Sequence, residues 1–134
     1  MLGVDTNILV RFVTRDDPVQ FQQASALLSK AGEDGLFANP VVLVELHWVL
    51  SKVYRMPKAD ILAVLEGLLE SRELVVDQRD LVAQALNVAK RMGVDFSDVV
   101  IALLNQQSGC ISTVTFDKPA LRMPQFGSVE GALT

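Results

Sequence analysis

Cysteine is nearly absent from this chain. Cys110 stands alone, so neither an internal disulfide nor a cysteine-cluster zinc site can form. Histidine is as scarce, and with His47 the only one a multi-histidine metal site is excluded. The longest uninterrupted apolar run, Val99 to Leu104, is six residues, far short of the ~18 that a membrane span needs. No basic start leads into an apolar segment of signal type, and a soluble, cytoplasmic protein is expected. Positive charge is also short. Twelve Lys and Arg face 16 Asp and Glu, a net charge of −4, which argues against a broad electropositive face for nucleic acid. No interleaving of aromatic and basic residues marks a base-reading surface. Repeats, low-complexity segments and linkers are missing too.

What is present is apolar. Half the residues are hydrophobic and 21% are charged, which disfavours disorder. The 134 residues suffice for one domain, residues 1–134, with its own core. Short strands are predicted at residues 2–4, 36–38, 74–76 and 110–114, with an edge strand near Phe126. Helices are predicted between them. Asp17-Pro18 and Asn39-Pro40 each read as an N-cap followed by proline at the first helical position. Gly32, Gly93 and Gly109 read as helix ends. Asp77 is expected to cap the helix that follows the third strand. Strands alternating with helices predict an α/β fold with a parallel sheet covered on both faces. Cys110, beside Ile111 in a predicted strand, is expected to be buried, and His47 to pack in a helix or lie at the surface.

Four acids stand out. Asp5 ends the first strand, and the carboxyl edge of a parallel sheet is where ligands bind. Glu45 lies in Pro40-Val41-Val42-Leu43-Val44-Glu45-Leu46-His47-Trp48-Val49-Leu50, a helix apolar on nearly every side and so expected to be buried. A buried glutamate needs a partner: an arginine or a solvent-facing gap on one reading, a metal or a general-base role on the other. Asp95 and Asp98 flank Phe96-Ser97 at a helix start and resemble a capping box, yet that helix is apolar enough to enter the sheet layer. Asp117 follows Thr113-Val114-Thr115-Phe116 and reads either as a turn residue or as a further acid at the same edge.

Carboxylates crowded together repel one another and require a proton or a cation. An oxygen-only donor set without cysteine or a histidine cluster suits Mg²⁺ or Mn²⁺, ions that keep several waters and bridge to phosphate. Metal-assisted phosphodiester hydrolysis is the matching chemistry. With four acids on a cation, twelve remain against twelve bases, so net charge leaves nucleic acid open as a substrate.

In order along the chain, Val4-Asp5-Thr6-Asn7-Ile8-Leu9, then Pro40 to Leu46, then Asp95-Phe96-Ser97-Asp98-Val99-Val100-Ile101-Ala102 and Thr113-Val114-Thr115-Phe116-Asp117 resemble a PIN domain. More narrowly, they resemble the VapC-type toxin of a toxin–antitoxin pair. The resemblance covers almost the whole length. It implies a three-layer α/β/α sandwich with a central, mainly parallel sheet, and Mg²⁺- or Mn²⁺-dependent RNA cleavage. By motif position it assigns Asp5, Glu45, Asp98 and Asp117 as the catalytic and metal-holding acids. Asp95 becomes an accessory acid, and Asn7 and Thr115 position waters or neighbouring carboxylates. A homodimer and a small antitoxin that blocks the site are also implied.

Other classes start similarly. A haloacid-dehalogenase-like phosphatase needs a second Asp two residues after the first, where this chain has Asn7. A receiver pairs two acids after strand one, and Thr6 breaks that pattern. A PIN-type RNA-processing nuclease outside a toxin–antitoxin pair remains an alternative, as does a non-catalytic interaction domain with a decayed site.

Overall fold

Local capping signals set most of the helix boundaries. In the computed structural model, which describes residues 1–134, Asp5 accepts from the Ile8 N–H at 3.2 Å and starts α1 (Thr6–Thr14). Asp17 accepts from the Gln20 N–H at 3.0 Å and, with Pro18 in the first turn, starts α2 (Pro18–Ala31). Asn39 does the same for Val42 at 3.1 Å, ahead of Pro40, at the start of α3 (Pro40–Lys52). The last two are starts the sequence predicts. The remaining helices are α4 (Lys58–Glu70), α5 (Arg79–Met92), α6 (Phe96–Gln107) and the short α7 (Val129–Leu133). None is long and apolar enough to cross a membrane.

The chain divides into two compact units, Met1–Arg79 and Asp80–Thr134. In the first, β1 (Leu2–Gly3), β2 (Leu36–Ala38) and β3 (Leu74–Val76) form a parallel sheet in the order β1-β2-β3. Leu2 pairs with Leu36, and Leu36 with Leu74. The ladder runs on past the strand ends, with Val4 N–H donating to Phe37 O at 2.8 Å and Asp77 N–H to Ala38 O at 2.9 Å. This register brings Asp5, Asn39 and Asp77 out on one carboxyl edge. Asp5 and Asp77 there stand two strand spacings apart, roughly 10 Å, too far to share one ion.

In the second unit β4 (Thr113–Thr115) pairs in parallel with β5 (Phe126–Ser128). Every strand pairing is therefore parallel, and the class is α/β, as the alternation of strands and helices predicts. The hydrogen-bonded strands form two sheets, one in each unit.

The apolar faces account for the packing. Leu43, Leu46 and Leu50, three and four residues apart on α3, are almost fully buried, as are Ile61 and Leu65 on α4. Each such leucine or isoleucine contributes about 1.5–3 kcal/mol by leaving water. α1 packs on α2 and α3, and α3 on α4. In the second unit Val82, Ala85, Leu86 and Ala89 form the buried stripe of α5, and Phe96, Val99, Val100 and Leu103 that of α6.

Three local expectations are corrected. Cys110 is exposed, because β4 begins only at Thr113 and Gly109 turns the chain at φ 95° just before it. Asp77 lies in a turn and α5 starts at Arg79, after Gln78 adopts φ 55°. Glu45 is exposed, not buried. α3 turns Val41 (62% exposed), Glu45 and Trp48 (56%) to the outside at helical spacing, so its apolar composition does not make it buried all round. His47, in contrast, is buried.

Gly35 has a steric reason to be glycine. Its φ is 69° with ψ near −177°, and a Cβ there would lie 2.8 Å from the Glu73 carbonyl oxygen. That same oxygen accepts from Leu36 N–H at 2.8 Å and ties β2 to β3. Gly35→Ala is expected to cost on the order of 2–3 kcal/mol, read as a lower denaturant midpoint with unchanged m-value. A variant as stable as wild type would show that this approach is not tight.

Candidate metal centre

The second unit gathers three of the acids singled out by sequence. Asp95 caps α6, its Oδ1 accepting from Ser97 N–H at 2.9 Å and Asp98 N–H at 3.4 Å. Phe96 is wholly buried directly after the cap. That anchor leaves Asp95 exposed and Asp98 half-buried on the first turn of the helix. Asp117 follows β4, and its N–H donates to Thr115 Oγ1 at 2.9 Å. Thr115 thus fixes the backbone that carries Asp117.

The electrostatics centre on Asp98. Its pKa is raised first by burial, then by the negative charge of Asp95, then by that of Asp117, with which it also shares a hydrogen bond. Two carboxyls within hydrogen-bonding reach must hold a proton or a cation between them. Asp95 is turned to its own helix end, so the contacting pair is Asp98 and Asp117. In neither unit do three or more histidine, cysteine or acidic side chains stand close enough to hold an ion by themselves. A carboxylate pair nonetheless fits Mg²⁺, which is held through one or two carboxylates plus waters and substrate phosphates.

The first unit holds Asp5, Asn7 and Glu45. Asp5 and Asn7 line one cleft together with residues of α1 and α2. Glu45 lies on the exposed face of α3 and is not part of that cleft's wall. Exposed there, Glu45 needs no buried partner, and the solvent-facing alternative is the one observed.

Sequence reading missed a polar network at the end of α1. Arg11 Nη1 donates to Asp16 Oδ1 at 2.9 Å, and Arg11 Nε to Gln20 Oε1 at 2.6 Å. Asp16 also accepts from Tyr54 OH at 2.7 Å and Thr14 Oγ1 at 2.8 Å. No sequence signal joins Tyr54 to Asp16, because 38 residues separate them. The Tyr54 and Thr14 hydroxyls, then Arg11, hold the Asp16 carboxyl below its ordinary pKa. A lowered folded-state pKa gives stability that is present above the unfolded value, about pH 4, and is lost as pH falls through the folded one. Asp16→Asn is expected to lower Tm at pH 7 and to converge on wild type in stronger acid. A gap that persists unchanged below pH 3 would assign the effect to something other than the ionised carboxylate.

No curated protein matches the sequence. A family model described as PIN domain matches residues 3–124, a span that covers most of each unit and all of the acids above. Members of that family are generally metal-dependent nucleases, typically using Mg²⁺ or Mn²⁺, and the parallel α/β architecture found here is consistent with the family's three-layer α/β/α fold. With nearly its whole length matched, the chain belongs to the PIN domain family.

Proposed function

We propose that this chain is an endoribonuclease that hydrolyses RNA phosphodiester bonds with Mg²⁺ or Mn²⁺. In this reading Asp5, Glu45, Asp98 and Asp117 are the catalytic, metal-holding acids, and residues 1–134 act as one nuclease domain. The observation that carries the reading is the Asp98–Asp117 pair, two carboxyls kept in contact with a third acid beside them. Such a pair costs folding free energy unless a cation or proton resolves it. Family membership over residues 3–124 supports nuclease chemistry as the use made of it.

Apart from Glu45, whose place in the site rests on the motif match, each residue then has a task it can perform with its own atoms. Asp98 and Asp117 offer oxygen donors, and Thr115 keeps Asp117 at its place through the backbone. Asp95 holds the first turn of α6, so that Asp98 is presented at a fixed height. Asp5 is set by capping α1, and Asn7 beside it is an uncharged donor and acceptor for water or for neighbouring carboxylates. A divalent ion, when bound, supplies Lewis-acid stabilisation of phosphate charge and activation of water.

We read the protein further as the toxin of a toxin–antitoxin pair, acting in the cytoplasm as a homodimer and blocked by a small antitoxin. The four motifs in order support this finer reading. Two measurements test it. Purified protein incubated with labelled RNA should cleave with Mg²⁺ and not with EDTA, while leaving a generic phosphatase substrate intact. Cleavage that persists in EDTA, or phosphatase turnover alone, overturns the ribonuclease reading. Induced expression should arrest host growth, and co-expression of a small antitoxin encoded beside it should lift the arrest. RNA cleavage without growth arrest would make the protein a processing nuclease instead.

A further inference from the structure

Beside Asp5 the first unit contains a cleft of about 400 Å³ walled by α1 and α2. That volume lies within the range used for small-ligand sites. Asn7, Gln20 and Gln23, which carry side-chain amides, are among its lining residues, with Ile8 and Leu27 among the apolar ones. An amide presents a donor and an acceptor side by side, the pattern with which proteins read base edges. Unpaired RNA bases are the form in which those edges are accessible.

Charge decides between a base and a phosphate. Arg11 is the only cation in the lining, and its guanidinium is already bound to Asp16 at 2.9 Å and Gln20 at 2.6 Å. Asp5 adds a carboxylate to the same wall. A phosphate entering here would meet a neutralised cation and a negative neighbour, whereas an uncharged base meets neither penalty. Arg11 also orients its partner: with Gln20 Oε1 taken by Arg11 Nε, the Gln20 NH₂ group is the end left for a ligand acceptor. The Arg11–Asp16–Tyr54 network thereby acts as a positioning device for Gln20.

We infer that this cleft is a nucleobase subsite which takes one unpaired RNA base and gives cleavage a nucleotide preference. The inference rests on the ribonuclease reading, and Asp5 in the cleft wall is what connects the two.

The test uses the full chain. Side-chain amide signals of ¹⁵N-labelled protein are followed during separate titrations with adenosine, guanosine, cytidine, uridine and inorganic phosphate. Cleavage sites in a randomised single-stranded RNA are sequenced in parallel. One nucleoside is expected to move the Asn7, Gln20 and Gln23 signals, and phosphate is not. Gln23→Ala, an exposed substitution on α2, should weaken that nucleoside about tenfold and flatten the nucleotide preference by a similar factor. Amide shifts produced by phosphate alone, by no nucleoside, or unaltered in Gln23→Ala overturn the subsite. RNA cleavage without nucleotide preference or amide shifts removes the subsite and leaves the ribonuclease standing. Nucleoside shifts in a protein that cuts no RNA do the reverse.

Discussion

Asp98→Asn is expected to reduce RNA cleavage by about a hundredfold or more and, at the same time, to make the metal-free protein more stable at neutral pH. Both effects follow from one carboxylate. Burial and the charges of Asp95 and Asp117 raise the Asp98 pKa in the folded chain. A carboxyl whose folded-state pKa lies above the unfolded value binds its proton more tightly when folded. Its ionisation therefore costs stability as pH rises between the two values, and the full cost is present above the folded one. An amide escapes that cost. In EDTA the Tm of Asp98→Asn should exceed that of wild type near pH 7, and the difference should shrink to nothing as pH falls towards about 4. Added Mg²⁺ should raise the wild-type Tm by ligand linkage and the variant's much less. A gain in stability matched to a loss of activity is the mark of a functional acid held against electrostatic preference. A folded Asp98→Asn protein that cleaves RNA at the wild-type rate would sink the assignment.

The second large effect is expected at Phe96, which lies between the two acids and is fully buried at the start of α6. Phe96→Ala removes a large side chain from a packed site, at a cost of about 3–5 kcal/mol. In a chain of this size that lowers Tm by roughly 10–20 °C. Phe96→Leu should lose far less, because most of the buried volume remains. Phe96 also decides which way the first turn faces: with the ring fixed inside, Asp95 stays exposed and Asp98 stays half-buried beside it. Phe96→Ala should accordingly lose cleavage activity even at temperatures where circular dichroism shows it folded. Thermal unfolding within a degree or two of wild type would mean that this ring is not the anchor of the turn.

The acids differ in what already occupies them. The Asp95 carboxylate already accepts from the N–H groups of a helix end, and Glu45 sits on an exposed face. Glu45 shows what local sequence does not carry. Its helix is apolar in composition, but composition does not say which faces other elements cover. Val41 and Trp48 share the exposed side of α3 with Glu45, while Leu43, Leu46 and Leu50 take the buried one.

The sequence by itself determined the α/β class, the helix starts at Pro18 and Pro40, the strands at Leu36–Ala38 and Leu74–Val76, and membership of the PIN family. Caps, prolines and terminal glycines act within one helical turn, so their signals are written in adjacent residues. Only the tertiary structure decided that Cys110 and Glu45 are exposed, that Asp98 meets Asp117, and that Tyr54 reaches back to Asp16. It alone also formed the amide-lined cleft beside Asp5. Burial and pairing of this kind depend on which surfaces meet after the chain has folded, and residues 19 or 38 positions apart carry no local sign that they will.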